Sequence, residues 1–220
     1  MNFKVIDVAQ RSPEWKQARA GRLTASRAGH AISFRKDGKE SASRRDYRIE
    51  LVAERLTGQP CESSVRMNAD IERGIELEPA AVAAYEIESG NFISRVGFVA
   101  HDDILAGYSP DGVIREFEGL IEVKCPRPAN HLEYCDGGRV PIDHIDQCRH
   151  ALWLTGAEWI DFVSYSPVFP SNLQLFICRL HRQDADVDGY AKAAALFLEE
   201  VAQKESALRG WSAMREAVTA

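Results

Sequence analysis

The pattern of apolar and polar positions divides the chain into a helical first part, a strand-rich middle and a helical end. Apolar residues recur at a helical period through most of the first ninety positions. Between about residues 92 and 180 they come mainly in short runs rich in valine, isoleucine and aromatic side chains, which favour strands. Helical period returns at residues 184–209. This order predicts an α/β fold in which a mixed sheet is flanked by helices. We expect one domain, 1–220, with a helical part at about 12–90, a sheet core at about 92–180 and a final helix at about 184–209.

Start and stop signals predict the helices of the first part. Ser12 is a capping residue followed by proline, and Gly21 is a suitable terminator. Pro79 falls inside the longest helical pattern and predicts a kink or restart there, because proline lacks the N–H group. The predicted helices begin at Ser12, near Thr24, at Ser43 and at Asn68, and the last two end near Leu56 and Ser89. The polar stretch 34–39 is predicted to be a loop.

The middle of the chain predicts six strands and one helix. The helix is expected at about 143–154, where apolar residues recur at helical spacing before Gly156. The predicted strands are 92–100, 104–108, 112–117, 120–124, 159–165 and 173–180.

Composition narrows the class of protein. The net charge is −6, with a sequence pI near 5.6, whereas nucleic-acid-binding proteins are usually basic. A nuclease is compatible with this charge, since it needs acids for a metal and only local basic patches for phosphates. The five cysteines are odd in number and widely spaced, which favours reduced thiols in a cytoplasmic protein over a zinc or iron–sulfur site. We expect no signal peptide, because the opening residues lack a long apolar core, and no apolar run is long enough to span a membrane.

The segment 109–124 holds the strongest candidate chemistry. Asp111 follows Ser-Pro, and Glu122 and Lys124 lie on a predicted strand, where alternation places them on one face while Ile121 and Val123 point into the core. Two carboxylates and a main-chain carbonyl offer the hard oxygen ligands that Mg²⁺ prefers. A metal there can activate water beside a phosphodiester. The alternative is a surface hairpin with ordinary exposed charges.

Two further polar residues are candidates for the same site. Glu78 lies beside the predicted interruption at Pro79 and would complete a cage of three carboxylates. Gln147 lies on the helix after the lysine strand, where it can reach a water or a phosphate. The alternatives are a solvated helix face for Glu78 and a partly exposed glutamine for Gln147. We expect His144, on the same face as Gln147, to have a structural or rim role.

Four blocks together resemble a known family. They are residues 11–26 (Arg-Ser-Pro-Glu-Trp through Ala-Gly-Arg-Leu-Thr-Ala-Ser), 74–85, 109–126 and 147–153. In this order and spacing the chain resembles the phage lambda exonuclease and YqaJ-type viral recombinase family over residues 11 to about 167. That family is a branch of the PD-(D/E)xK nucleases, so the resemblance implies a restriction-endonuclease-like core.

The resemblance also implies roles for matching positions. It implies one or two Mg²⁺ ions, with Mn²⁺ as a substitute, held by Glu78, Asp111, Glu122 and the Val123 carbonyl. Lys124 and Gln147 would position the attacking water. The positions that match a 5′-phosphate pocket are Arg19, Ser26 and Ser109. Ile71 matches an apolar wedge between terminal base pairs, although burial on its own helix explains it as well. Arg35 and Lys36 are candidates for DNA contact, and a solvated loop explains them equally.

The function implied is a magnesium-dependent 5′→3′ exonuclease that digests one strand of duplex DNA from an end, in phage-type recombination. The resemblance further implies a homotrimer and a partner that anneals single strands. The alternatives are an endonuclease or DNA-repair nuclease on the same fold, and a non-catalytic DNA-binding protein.

Overall fold

The computed structural model describes residues 2–61 and 69–211. The predicted cap at Asn68 lies outside these residues. Within them, the helices are α1 Pro13–Arg19, α2 Ala28–Ala31, α3 Ala42–Thr57, α4 Ala69–Ser89, α5 Pro128–Gly137, α6 Ile142–Thr155 and α7 Val187–Arg209. The strands are β1 Phe3–Ile6, β2 Leu23–Thr24, β3 Phe98–His101, β4 Ala106–Tyr108, β5 Gly112–Ile114, β6 Gly119–Lys124, β7 Trp159–Tyr165 and β8 Leu175–His181. None of the described helices is both long enough and apolar enough to cross a membrane.

The predicted fold class is confirmed, but the strands form two mixed sheets instead of one. The first sheet has the order β1-β3-β4-β2 and the second β5-β6-β7-β8. The chain leaves the first sheet after Tyr108 and enters the second at Gly112. The break falls on Ser109, Pro110 and Asp111, where proline cannot donate to a continuing ladder. This three-residue turn therefore joins the two sheets.

Several predicted boundaries are wrong for local reasons. The strand expected at 112–117 ends at Ile114, because Arg115, Glu116 and Phe117 adopt positive φ angles in a turn. The strand expected at 92–100 is reduced to β3, and Ser94 forms an isolated bridge with Val113. Strands β1 and β2 and helix α5 were not predicted.

Helix α4 continues through Pro79, so the predicted restart is wrong. Beyond the proline, Val82 and Tyr85 pack in a core cluster with Ile121 and Val123 of β6. This packing stabilises the second half of the helix and outweighs the lost backbone hydrogen bond.

The two faces of β6 are covered by different helices. Ile121 and Val123 face the cluster that contains α4, whereas Leu120 belongs to the larger core cluster with Leu152 of α6. Because side chains alternate along a strand, Glu122 points to the α6 face. Helix α4, which carries Glu78, therefore lies across the sheet from Glu122.

Candidate active site

A cavity of about 840 Å³ lies where the turn between the sheets meets α1, α4 and α6. Most of the residues singled out from the sequence line it. These are Arg19, Ser26, Ile71, Glu78, Ser109, Asp111, Glu122, Val123, Lys124 and Gln147. Residues named from the motifs and from the family resemblance thus lie together in the fold.

Asp111 and Glu122 form the acidic centre of the cavity. Asp111 Oδ2 accepts a hydrogen bond from the Val123 N–H at 2.8 Å, which ties the turn to β6. Glu122 is only 1% exposed. Its Oε1 accepts hydrogen bonds from Lys124 Nζ and from Gln147 Nε2, each at 2.5 Å. Its Oε2 is buried and has no hydrogen-bond partner among the described residues. One carboxylate oxygen is therefore neutralised and the other is left with unused acceptor capacity.

The electrostatics of this centre favour an additional cation. Burial and then the charge of Glu122 raise the pKa of Asp111 to about 8, against the opposing effects of Lys124 and the Val123 N–H. Burial alone lowers the pKa of Lys124, but the charges of Glu122 and Asp111 raise it above its ordinary value. Lys124 therefore stays protonated, and the raised pKa of Asp111 indicates that one ammonium group does not keep both buried carboxylates ionised.

The residues present fit a magnesium ion. Mg²⁺ is usually bound by one or two carboxylates and keeps several waters. Asp111, the unpartnered Oε2 of Glu122 and the Val123 carbonyl supply oxygen donors of this kind. In the described parts of the chain, no three His, Cys, Asp or Glu side chains lie close enough together to hold a metal.

Glu78 lines the cavity but is held by two arginines. Arg11 Nη2 lies 2.9 Å from Glu78 Oε2, and Arg95 Nη1 lies 3.1 Å from Oε1. Because α4 covers the opposite face of the second sheet, Glu78 approaches the centre from its edge. Neither arginine was predicted as a site residue, and no sequence signal marks them, since 67 and 17 positions separate them from Glu78.

Arg19, Ser26 and Ser109 form a second polar cluster in the same cavity. Arg19 Nη1 donates to Ser109 Oγ at 3.0 Å, and Nη2 donates to Ser26 Oγ at 3.2 Å. Trp15 Nε1 also donates to Ser109 Oγ, at 2.8 Å, and the Arg19 guanidinium lies 4.2 Å over the Trp15 ring. Trp15 was missed as a site residue, although an aromatic one turn before an arginine signals stacking.

Arg19 lacks a carboxylate partner in the part of the chain that the structure describes. Burial lowers the pKa of its guanidinium, and an arginine still carries its positive charge in a folded protein. A largely buried cation is costly without an anion. The guanidinium fork and two hydroxyls therefore make a suitable site for a phosphate.

Two predicted DNA contacts are not brought to this cavity. Arg35 and Lys36 are exposed on a small hairpin closed by a bridge between Phe34 and Glu40, and Arg35 pairs with Asp37 at 3.1 Å. They do not line the cavity, so their hypothetical role would require DNA that extends beyond it.

His144 lines the rim, as expected. Its Nε2 lies 3.2 Å from the Tyr134 hydroxyl, and its ring stacks on Phe162 with centroids 5.3 Å apart. Burial and then the charge of Lys124 lower its pKa to about 4. His144 is therefore neutral at physiological pH.

Comparisons with known proteins place this geometry in context. Residues 14–158 match the model of the YqaJ-like viral recombinase domain. The crystal structure of an alkaline exonuclease, LHK-Exo, from Laribacter hongkongensis is 37% identical, with a TM-score of 0.81 over 92% of this chain and 99% of that one. LHK-Exo in complex with dAMP matches at 36% identity with the same coverage. A phage related exonuclease from Haemophilus somnus 129PT shares the fold at 15% identity, with a TM-score of 0.61 over 85% and 96% of the two chains. None of the curated proteins compared with the chain matches it significantly.

Proposed function

Because the chain belongs to the YqaJ-like viral recombinase family, we propose that it is a metal-dependent exonuclease that degrades one strand of duplex DNA from its 5′ end. The similarity to LHK-Exo, an alkaline exonuclease, supports this activity. Phosphodiester hydrolysis also suits a cavity that combines buried carboxylates with a lysine.

One observation carries the proposal. The acidic centre and the Arg19 cluster share one cavity and are joined by a single turn, in which Ser109 binds Arg19 and Asp111 binds Val123. A terminal 5′-phosphate in the Arg19 cluster would place the neighbouring phosphodiester toward Asp111 and Glu122. This arrangement supports attack near a 5′ end.

The residues have separable roles in this mechanism. Asp111, Glu122 and the Val123 carbonyl would hold Mg²⁺, or Mn²⁺ in its place. When bound, the ion lowers the pKa of water and stabilises charge on phosphoryl oxygens. Lys124 orients the attacking water and offsets developing negative charge. Gln147 fixes the Glu122 carboxylate through Oε1. Arg19, Ser26 and Ser109 hold the terminal phosphate, and Ile71, which lines the cavity, would contact the terminal base pairs.

The decisive experiment is digestion of an end-labelled linear duplex that carries either a 5′-phosphate or a 5′-hydroxyl. With Mg²⁺ we expect loss of the strand from its phosphorylated 5′ end, and no loss with a chelator. Glu122→Gln and Lys124→Ala should each lower the rate by about 10²–10³-fold, the scale for removal of one electrostatic group from an active site. If both variants cut at the wild-type rate, the assigned centre is wrong.

The 5′-phosphate role of Arg19 has a separate test. Arg19→Ala should slow digestion of phosphorylated ends more than that of hydroxyl ends, because only the former lose a charge-assisted hydrogen bond. Equal losses on both substrates would favour an endonuclease or a DNA-repair nuclease on the same fold. Cutting of covalently closed circular DNA would establish that alternative. Binding of DNA without cleavage in Mg²⁺ or Mn²⁺ would establish a non-catalytic protein.

The family resemblance also supports a homotrimer that encloses DNA, and a partner that anneals the exposed single strand. Sedimentation of the purified protein tests the first, and co-purification with a single-strand annealing protein tests the second. The five free cysteines and a DNA substrate favour a cytoplasmic location.

A further inference from the structure

Two arginines bind Glu78: Arg11 lines the cavity, and Arg95 reaches the same carboxylate from outside the cavity lining. Each binds a different oxygen of the carboxylate, so both oxygens of Glu78 are engaged by cations. The Glu78 side chain is 14% exposed, whereas those of Arg11 and Arg95 are 50% and 56% exposed. The carboxylate is therefore directed inward, and the arginines face the solvent from which a substrate arrives.

The backbone holds Arg11 in this position. Its φ angle is 71°, in the left-handed region that is unfavourable for a residue with a Cβ atom. Its neighbours on both sides are anchored. Gln10 Nε2 donates to the Pro110 carbonyl at 2.8 Å, and Ser12 caps α1. Backbone strain retained between two anchors is a feature of functional segments. Here it directs a guanidinium to the cavity beside the turn that carries Ser109 and Asp111.

Glu78 lies within electrostatic range of the acidic centre. The pKa of Asp111 is raised first by burial and then by Glu122, and the charge of Glu78 adds to the shift. In the described parts of the chain, Glu78 pairs with Arg11 and Arg95 and does not form a metal-binding cluster with Asp111 and Glu122. A phosphodiester is a suitable replacement partner for these arginines, because guanidinium groups bind phosphate and carboxylate oxygens by the same paired geometry. Solvent reaches the arginine side of both ion pairs, which lowers the cost of the exchange.

We propose that Arg11 and Arg95 form a phosphate site for the DNA backbone at the edge of the cavity, around Glu78, and that its occupation releases Glu78 toward Asp111 and Glu122. This inference rests on the proposed nuclease function and deepens it. DNA binding then completes the carboxylate set, so the metal is held most tightly only when a substrate is present.

The first test is metal binding without DNA. Mn²⁺ affinity is measured by titration calorimetry on the wild-type protein and on the double variant Arg11→Gly with Arg95→Ala. Glycine suits the left-handed backbone at position 11, so this variant removes the guanidinium while relieving strain. We expect Mn²⁺ to bind at least 5-fold more tightly to the double variant, because Glu78 is released.

A general change in charge would also alter metal affinity, so the measurement is repeated in the Glu78→Gln background. There the double variant should change Mn²⁺ affinity by less than 2-fold. Arg73→Ala is the matched control, since Arg73 lines the same cavity but pairs with Asp70 at 2.9 Å. Its effect should be the same with glutamate or glutamine at position 78. An equal effect of the double variant in both backgrounds overturns the release of Glu78.

The second test is DNA binding in a chelator, where no cleavage occurs. The dependence of log Kd on log salt for a short duplex should fall by about 2 in the double variant, because each lost phosphate contact removes roughly 0.9 from the slope. Arg115→Ala is the control, since this exposed arginine pairs with Glu118 and has no contact with Glu78 among the described residues. An unchanged slope in the double variant overturns the phosphate site. Neither test requires cleavage, so the inference fails or stands separately from the exonuclease activity.

Discussion

Glu122 shows what the sequence discloses about a single residue and what it does not. Strand alternation predicted that Glu122 and Lys124 share a face, and the 2.5 Å contact confirms it. The hydrogen bond from Gln147 to Glu122 Oε1 depends on how α6 packs against β6. The sequence spacing indicated only the face of the helix on which Gln147 lies. No sequence pattern predicts the ion pairs of Glu78 with Arg11 and Arg95, because these residues come from three separate segments of the chain.

His150 is a buried residue whose protonation limits stability. Its Nε2 donates to the Gly107 carbonyl at 3.0 Å and its Nδ1 accepts from the Tyr190 hydroxyl at 2.7 Å, which fixes a neutral ring. Burial lowers its pKa to about 3. The folded state thus excludes a proton that the unfolded chain binds below pH 6.5. The stability contributed by neutral His150 is complete above pH 6.5 and is lost as pH falls toward 3.

We therefore expect His150→Gln to make stability less dependent on pH. At pH 7 the variant should be less stable than the wild type by about 1–3 kcal/mol, because two buried hydrogen bonds are weakened. Between pH 6.5 and pH 5 this difference should shrink by about 2 kcal/mol, at 1.36 kcal/mol per unit. Urea unfolding at several pH values measures it. Parallel pH curves for the two proteins would contradict the assigned cause.

At the scale of elements, local sequence signals predicted helix and strand bounds most accurately where capping residues and tertiary packing favour the same structure. Strand β7 has the predicted bounds, and α1 is capped by Ser12 as expected. Strand β2 has only two residues, which is too short for an alternating pattern to appear in the sequence. It forms by pairing with β4 from a distant part of the chain. A kink or restart was predicted at Pro79, and the structure contradicts the restart. The packing of Tyr85 that supports the continuous helix cannot be deduced from local helix propensity.

Helix α1 positions both Trp15 and Arg19, so its cap should affect function. Ser12 Oγ accepts from the Trp15 N–H at 3.1 Å, and Ser41 Oγ caps α3 with the same distance to the Arg44 N–H. Ser12→Ala and Ser41→Ala should each lower the free energy of unfolding by about 1 kcal/mol. Only Ser12→Ala should also reduce the preference for 5′-phosphorylated ends. Thermal unfolding and the end-labelled digestion measure the two effects. An equal change of preference in Ser41→Ala would show that the effect is global.

At the scale of the molecule, α7 ties the end of the described chain to the helices that support the site. Tyr47 of α3 stacks on Phe197 of α7 with centroids 5.7 Å apart. Beside this contact, the buried guanidinium of Arg44 binds Glu200 at 2.8 Å and Glu40 at 2.8 Å, and Arg48 binds both acids as well. Tyr47 in turn donates to and accepts from the backbone around β2, next to Arg19. The terminal helix thereby stabilises a site that it does not touch.

We expect Glu200→Ala to destabilise the protein by about 1–3 kcal/mol, because it removes one partner of a buried guanidinium while Glu40 remains. Glu199→Ala, at the exposed neighbouring position, should change stability by less than about 0.5 kcal/mol. Chemical denaturation compares them. Hydrogen bonds from Arg44 lower the pKa of Glu200. Without this carboxylate, the free energy of unfolding should decrease less steeply as the pH falls into the acidic range. Equal losses in the two variants would contradict the special role of Arg44.

The turn between the two sheets has a consequence for the product of the reaction. In the proposed roles Ser109 touches the terminal phosphate and Asp111 lies beside the bond that is cut. Two residues span at most about 7 Å, and the fixed φ of Pro110 removes much of the remaining freedom. Covalent geometry therefore fixes the distance between the phosphate contact at Ser109 and the cleavage site at Asp111. This distance does not depend on the bases of the DNA. We therefore expect fragments of the same length to be released from every DNA sequence. A residue inserted into this turn should change the length of the fragment more than the rate of hydrolysis.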